Sequence, residues 1–147
     1  MTIEDDIAFL ERVPALAILG RDALRILAIG SENRYVHEGV ALFTEGEDAD
    51  SAYVVQEGSF DLAGNGGAEA VVGPGALIGE LALIVAMRRP STAIAIEHTT
   101  VIRIARSLFQ RVLESDPAAA VRLRDEFAVR SSQIASDILM AGAKLTT

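Results

Sequence analysis

The sequence predicts an α+β fold, with helices at both ends flanking a run of short strands closed as a small barrel or jelly-roll-like sandwich. Three observations carry that expectation. Apolar residues recur at three- and four-residue spacing up to about residue 31 and again after about residue 107. Between those limits, short β-prone pieces alternate with glycine turns at even intervals. Half of the 147 residues are hydrophobic but only 5% are aromatic, so the core must be built from Ala, Val, Ile and Leu.

The first helical zone, about residues 3–31, contains Phe9-Leu10, Val13, Leu16 and Leu19, then Leu24, Leu27 and Ala28. Pro14 and Gly20 divide it into short helices, and Asp22 opens a helix ending at Gly30. Glu4-Asp5-Asp6 suits the positive end of the first helix. The strand zone spans about 34–105, with pieces at Tyr35–His37, Val40–Phe43, Ala52–Val55, Phe60–Leu62, Ala70–Val72, Thr92–Ile96 and Val101–Ile104. Turns fall at Glu38-Gly39, Glu45-Gly46-Glu47, Glu57-Gly58, Gly64–Gly67 and Gly73-Pro74-Gly75. Leu81 to Met87 interrupts the strands with the composition of a short helix.

Residues of about 107–145 return to helix. Ser107 is placed to cap a helix reaching Glu114, and Asp116-Pro117 to open the next. In that last helix Phe127, Ser131, Ile134, Ile138, Ala141 and Leu145 form a heptad-like seam, which predicts a homodimer through it. Residues 1–147 read as one domain, large enough to bury roughly 68–70% of its unfolded surface without a staple.

Composition removes several function classes. No cysteine is present, which excludes disulfides, thiolate catalysis and cysteine-bound metal, and fits a reducing cytoplasm. The acidic N-terminus is unlike a secretory signal, and the apolar run Leu81–Met87 is too short to span a bilayer. A net charge of −8 opposes nucleic acid and anionic membranes as partners. A small anion can still dock where local positive charge prevails, because distant charges are screened within about 8–10 Å. No catalytic constellation stands out, so a non-enzymatic role is expected. His37 and His98, far apart in sequence and without a carboxylate cluster, make a poor metal site, which weakens a cupin-like enzyme reading.

The most informative stretch is Ile78-Gly79-Glu80-Leu81-Ala82-Leu83-Ile84, followed by Arg88-Arg89-Pro90-Ser91-Thr92. A glycine before a short helix lets backbone approach a ligand, and the first helical amides remain free to donate. Arg89 adds a charge-assisted contact suited to phosphate. Glu80 cannot share a phosphate but can accept hydrogen bonds from sugar hydroxyls. Together they describe a ribose-phosphate pocket. On chemistry alone the commoner alternative is a structural Glu80–arginine pair with both arginines on a solvated loop.

Gly79-Glu80-Leu81-Ala82-Leu83 with Arg89 and Thr92 resembles the phosphate-binding cassette of the cyclic nucleotide-binding domain family, shared by the catabolite activator protein, protein kinase A regulatory subunits and cyclic-nucleotide-gated channels. Leu42-Phe43-Thr44-Glu45-Gly46-Glu47 resembles that family's early turn, and Ala52-Tyr53-Val54-Val55-Gln56-Glu57-Gly58 its following strand. Phe9–Leu27 resembles the N-terminal helices, and Leu108-Phe109 with Pro117 the closing ones. The resemblance implies an antiparallel, jelly-roll-like β-roll of about eight strands and a sensor for a cyclic nucleotide. It further implies that amides near Gly79 and Leu81 meet the cyclic phosphate, Arg89 pairs with it and Glu80 accepts the ribose 2′-hydroxyl. Leu62 and Val72 would pack near the base. Ile134, Ala135 and Ile138 would form a lid, with Arg130 approaching Glu80.

One residue departs from the pattern. The family usually has Ser, Ala or Thr after the arginine, where an amide contacts phosphate; here Pro90 has no N–H. Losing a charge-assisted donor costs about 1.5–3 kcal/mol, roughly one to two decades of affinity. Ser91 or Arg88 is placed to compensate. The absence of Thr at that position removes a feature associated with cGMP, so cAMP is the expected ligand. The alternative is a degenerate, ligand-free interaction module. No DNA-binding helix-turn-helix is expected within the 147 residues, so output is expected through a protein effector or self-association.

Overall fold

The computed structural model describes residues 2–64 and 69–126. Three helices come first: α1 (Ile3–Leu10), α2 (Pro14–Ala17) and α3 (Arg21–Gly30). Ten strands follow: β1 (Glu32–Val36), β2 (Ala41–Phe43), β3 (Asp48–Ala49), β4 (Ser51–Glu57), β5 (Phe60–Gly64), β6 (Glu69–Val72), β7 (Leu77–Ile78), β8 (Met87–Arg88), β9 (Ser91–Ala95) and β10 (Thr99–Ala105). A 3₁₀ turn (Glu80–Leu83) lies between β7 and β8, and α4 (Arg106–Ser115) follows β10. Residues 117–126 are helical and form α5.

The strands make two four-stranded antiparallel sheets, β1-β10-β4-β7 and β2-β9-β5-β6, with β3-β8 as a small third. The central strand β4 of the first sheet is buried on both faces, and its two-residue period explains how. Ala52 and Val54 point into a core shared with the helices, alongside Leu10, Leu24, Leu27 and Phe109. Tyr53 and Val55 point into a second core between the sheets, with Phe43, Phe60, Ala93 and Val101. In β10, Ile102 and Ile104 join the first core and Val101 the second. Ile94 of β9 faces outward instead, as one solvated face of an antiparallel sheet allows.

The expected helix–roll–helix order holds, with corrections in detail. Among the described residues ten strands stand where about eight are expected: β3, β7 and β8 have two residues each, too short to carry a period. The stretch from Leu81 to Met87 is not one helix. It closes as a 3₁₀ turn ending at Leu83, because Met87 and Arg88 are drawn away to pair with Ala49 and Asp48. Ser107 does not cap α4; the helix leaves β10 directly, with the Arg106 amide bonded to the Asp50 carbonyl at 2.8 Å. Asp116 does cap α5, its Oδ1 accepting from the Ala119 amide at 3.1 Å. At the other end, Thr2 and Asp5 form a reciprocal capping box on α1, while Asp6 is buried. Strands β5 and β6 flank the glycine-rich hairpin, whose residues 65–68 lie outside the described ones. So do Phe127, Arg130, Ser131, Ile134, Ala135, Ile138, Ala141 and Leu145, hence the seam, the lid and the dimer expected of them.

Candidate functional site

Gly79 starts the site. It adopts φ +76° between β7 and the 3₁₀ turn, a left-handed conformation that other L-residues resist. β7 is fixed by pairing with β4, Ile78 opposite Tyr53 and Leu77 opposite Val54. The 3₁₀ turn then divides its side chains. Ala82 and Leu83 are buried, Leu83 within the helical core, while Glu80 is half-buried and Leu81 is exposed. Arg106 ties this turn to the C-terminal helices: its Nε donates to the Ala82 carbonyl at 2.6 Å and its Nη2 to the Ala49 carbonyl.

Arg89 arrives from the other side. Its amide donates to the Glu47 carbonyl at 2.7 Å and its carbonyl accepts from the Gly46 amide at 2.9 Å, so the Glu45–Glu47 turn pins its backbone. The side chain runs inward and is only 5% exposed. Its Nη2 donates to the Ser51 carbonyl at 2.9 Å and to Ser51 Oγ at 3.3 Å. The guanidinium lies over Phe43, 4.3 Å from the ring centroid, and near Tyr53 at 5.6 Å, giving it cation–π support. A Cβ on residue 79 would sit 2.5 Å from Arg89 Nη1, so a larger residue there would push the guanidinium aside as well as strain φ.

The Arg89 Nη2 hydrogen bonds go to the neutral oxygens of Ser51, and burial lowers the guanidinium pKa from its ordinary range, opposed by Tyr53, Asp50 and Glu47. Arginine remains charged at neutral pH regardless. A buried cation bonded to neutral oxygens gains when an anion is placed against it.

A cavity of about 250 Å³ opens beside it, lined by Phe43, Leu62, Leu77, Ile78, Gly79, Glu80, Leu81, Met87, Arg89, Pro90 and Ser91. Of the residues expected at the site, Gly79, Glu80, Leu81, Arg89, Ser91 and Leu62 therefore share one pocket. Val72 lies outside that lining, partly buried against the core between the sheets, and Ile134 lies outside the described residues. Arg88 separates from Arg89: it is exposed, with Asp48 at 3.9 Å. Ser51, Tyr53 and Phe43 were not anticipated as partners of Arg89. Their only sequence signal is their place on strands next to glycine turns, which does not say which face meets the arginine.

Comparison with known proteins bears on this arrangement. The family model described as cyclic nucleotide-binding domain matches residues 33–116, from β1 through α4. An uncharacterized NTE family protein of Mycobacterium tuberculosis is 37% identical over 109 residues, covering 74% of this chain and 19% of that protein. The cAMP-dependent protein kinase regulatory subunit of Yarrowia lipolytica is 34% identical over 107 residues, covering 71% of this chain and 28% of that subunit. The chain thus spans less than a third of the length of either relative. Among solved structures, a cyclic nucleotide-binding-like protein from Brucella abortus is 42% identical, with a TM-score of 0.65, covering 75% of this chain and 98% of that one. The matched span contains Gly79, Glu80, Arg89 and both sheets, and on these grounds the chain belongs to the cyclic nucleotide-binding domain family.

Proposed function

We propose that the chain is a non-enzymatic sensor of a cyclic nucleotide, cAMP in preference to cGMP, acting in the cytoplasm. The observation that supports this most is Arg89, a buried guanidinium bonded to Ser51 at the wall of a largely apolar cavity. In this reading the cyclic phosphate sits between Arg89 and the first amides of the 3₁₀ turn, near Gly79 and Leu81, which have no partner within the turn. Glu80 accepts the ribose 2′-hydroxyl. Leu62, together with Phe43 and Met87 of the same lining, offers apolar surface to the base. Ser91 supplies part of the donor capacity that Pro90 lacks. cAMP rests on the absence of Thr after Arg89 and on the name of the Yarrowia relative.

Relay follows from the double attachment of the 3₁₀ turn. Leu83 packs in the helical core and Arg106 bridges the turn to the start of α4, so moving Glu80 and Leu81 onto a ligand biases how α4 and α5 pack. A ligand switches the domain only by preferring one of the two packings. Output passes to a protein effector or a second copy through the last helix, with Ile134 as a lid residue.

Calorimetric titration with cAMP and cGMP tests the reading. Binding of cAMP is expected in the parent and not in Arg89→Ala. Pro90→Ser is expected to tighten it by roughly one to two decades, by restoring an amide donor. The second reading, a ligand-free interaction module, is favoured by Pro90. Absence of heat and of thermal stabilisation at millimolar nucleotide in both parent and Pro90→Ser would select it. Binding unchanged in Arg89→Ala would remove the site assignment instead.

A further inference from the structure

The chain has two histidines, His37 and His98, far apart in sequence, and folding brings them together. Val36 of β1 pairs with Thr99 of β10, so the residues just beyond that pair leave the ladder side by side. Their ring centroids are 5.8 Å apart, with planes at 84°. Tyr35 packs against both, edge-on to His37 at 4.7 Å and stacked on His98 at 5.7 Å. All three side chains are exposed.

That separation is close to the one that shared metal ligation requires. An imidazole nitrogen binds a borderline transition-metal ion at about 2.0–2.1 Å, and the nitrogen lies about 1.1 Å from its ring centroid. Two imidazoles on one tetrahedral ion therefore have centroids about 5.2 Å apart. Exposed rings reach that value from 5.8 Å by small rotamer adjustments. The surroundings favour a cation as well: Glu38 and Glu97 are the chain neighbours of the two histidines, and the net charge is −8. Contact with Tyr35 restricts both rings before any ion arrives, which lowers the ordering cost of binding.

We propose that His37 and His98 form a two-imidazole site for a divalent transition-metal ion of the Ni²⁺, Cu²⁺ or Zn²⁺ class. Among the described residues no third histidine or carboxylate joins them as a ligand cluster, so water completes the coordination sphere. A site with two protein ligands is an exchangeable surface site, distinct from a closed structural one. Imidazole selects this class over Mg²⁺, which prefers oxygen ligands.

The test is calorimetric titration of the tag-free chain with NiCl₂ and, separately, MgCl₂ at neutral pH. One Ni²⁺ per chain is expected and no heat with Mg²⁺. His37→Ala and His98→Ala should each weaken Ni²⁺ binding by about tenfold or more, since one imidazole alone cannot chelate. Both side chains are exposed, so neither truncation opens a core cavity, and unchanged thermal unfolding of each variant without metal verifies that. Nickel binding that persists in the double variant would put the ion on the acidic surface and overturn the assignment, as would a parent that binds none at about 1 mM. Nothing in this experiment involves Arg89 or the nucleotide pocket, so its outcome is independent of the sensor reading.

Discussion

At the scale of single residues the site is organised around Arg89 and the glycine that makes room for it. Gly79 satisfies two constraints at once, φ +76° and a Cβ position 2.5 Å from Arg89 Nη1. Gly79→Ala therefore strains the backbone by about 1–2 kcal/mol and also displaces the guanidinium. The expected result is a loss of about that much stability in urea unfolding, together with at least about tenfold weaker nucleotide binding by calorimetry. Ser51→Ala provides a contrast. It removes the hydroxyl acceptor at 3.3 Å but leaves the carbonyl bond at 2.9 Å, so the loss should stay within about 0.5–1.5 kcal/mol. Equal effects of the two substitutions on affinity would count against Gly79 as the spacer for Arg89.

At the scale of elements, the 3₁₀ turn Glu80–Leu83 decides how pocket and helices communicate. Leu83 is 2% exposed in the core that holds Leu10, Leu27 and Phe109, whereas Leu81, two positions earlier, lines the cavity. Leu83→Ala should cost about 2–5 kcal/mol in denaturant unfolding, the range for a buried leucine truncated into a packed core. Leu81→Ala, at a half-exposed position, should cost far less while still altering the pocket wall. If the two prove equally destabilising, the division of the turn between core and cavity is wrong. The last described helix has its own check: Asp116→Ala removes the cap on the Ala119 amide and should cost about 1 kcal/mol.

At the scale of the whole molecule, the acidic surface sets the response to pH. Among the described residues, three carboxylates are held below their ordinary values by named partners. For Asp5 these are the Thr2 backbone and then its hydroxyl; for Glu32, the Arg34 hydrogen bond and then its charge. Asp50 is opposed by burial, but Ser51 and Arg103 outweigh it and the net shift is downward. A carboxylate with a lowered folded pKa contributes stability that is present above its unfolded value, about 4, and is lost as pH falls through the folded one. The thermal midpoint should therefore decline on acidification below about pH 5, and Asp5→Asn should flatten that decline slightly. The three carboxylates are themselves solvent-exposed, so each contribution is small. A midpoint that rises on acidification would contradict the assignment of these shifts.

The sequence by itself determined the order of helices and strands, the largely aliphatic make-up of the core and the local character of the Gly79–Arg89 stretch. These follow from short-range properties: period 3.6 in Leu16–Leu27, the short apolar run Ala52–Val55 of β4, and glycines where the chain turns. Tertiary structure decided what has no local period. Two-residue strands such as Leu77–Ile78 and Met87–Arg88 exist only because a partner strand pairs with them. Adjacent arginines of like composition have opposite fates because β3–β8 pairing leaves Arg88 in solvent while the Glu45–Glu47 turn holds the Arg89 backbone and its side chain runs inward. Ser51 and Phe43 became partners of that guanidinium, and His37 met His98, through contacts between residues dozens of positions apart. Such contacts depend on strand register, and register is a property of the closed sheets, which no single segment of the chain encodes.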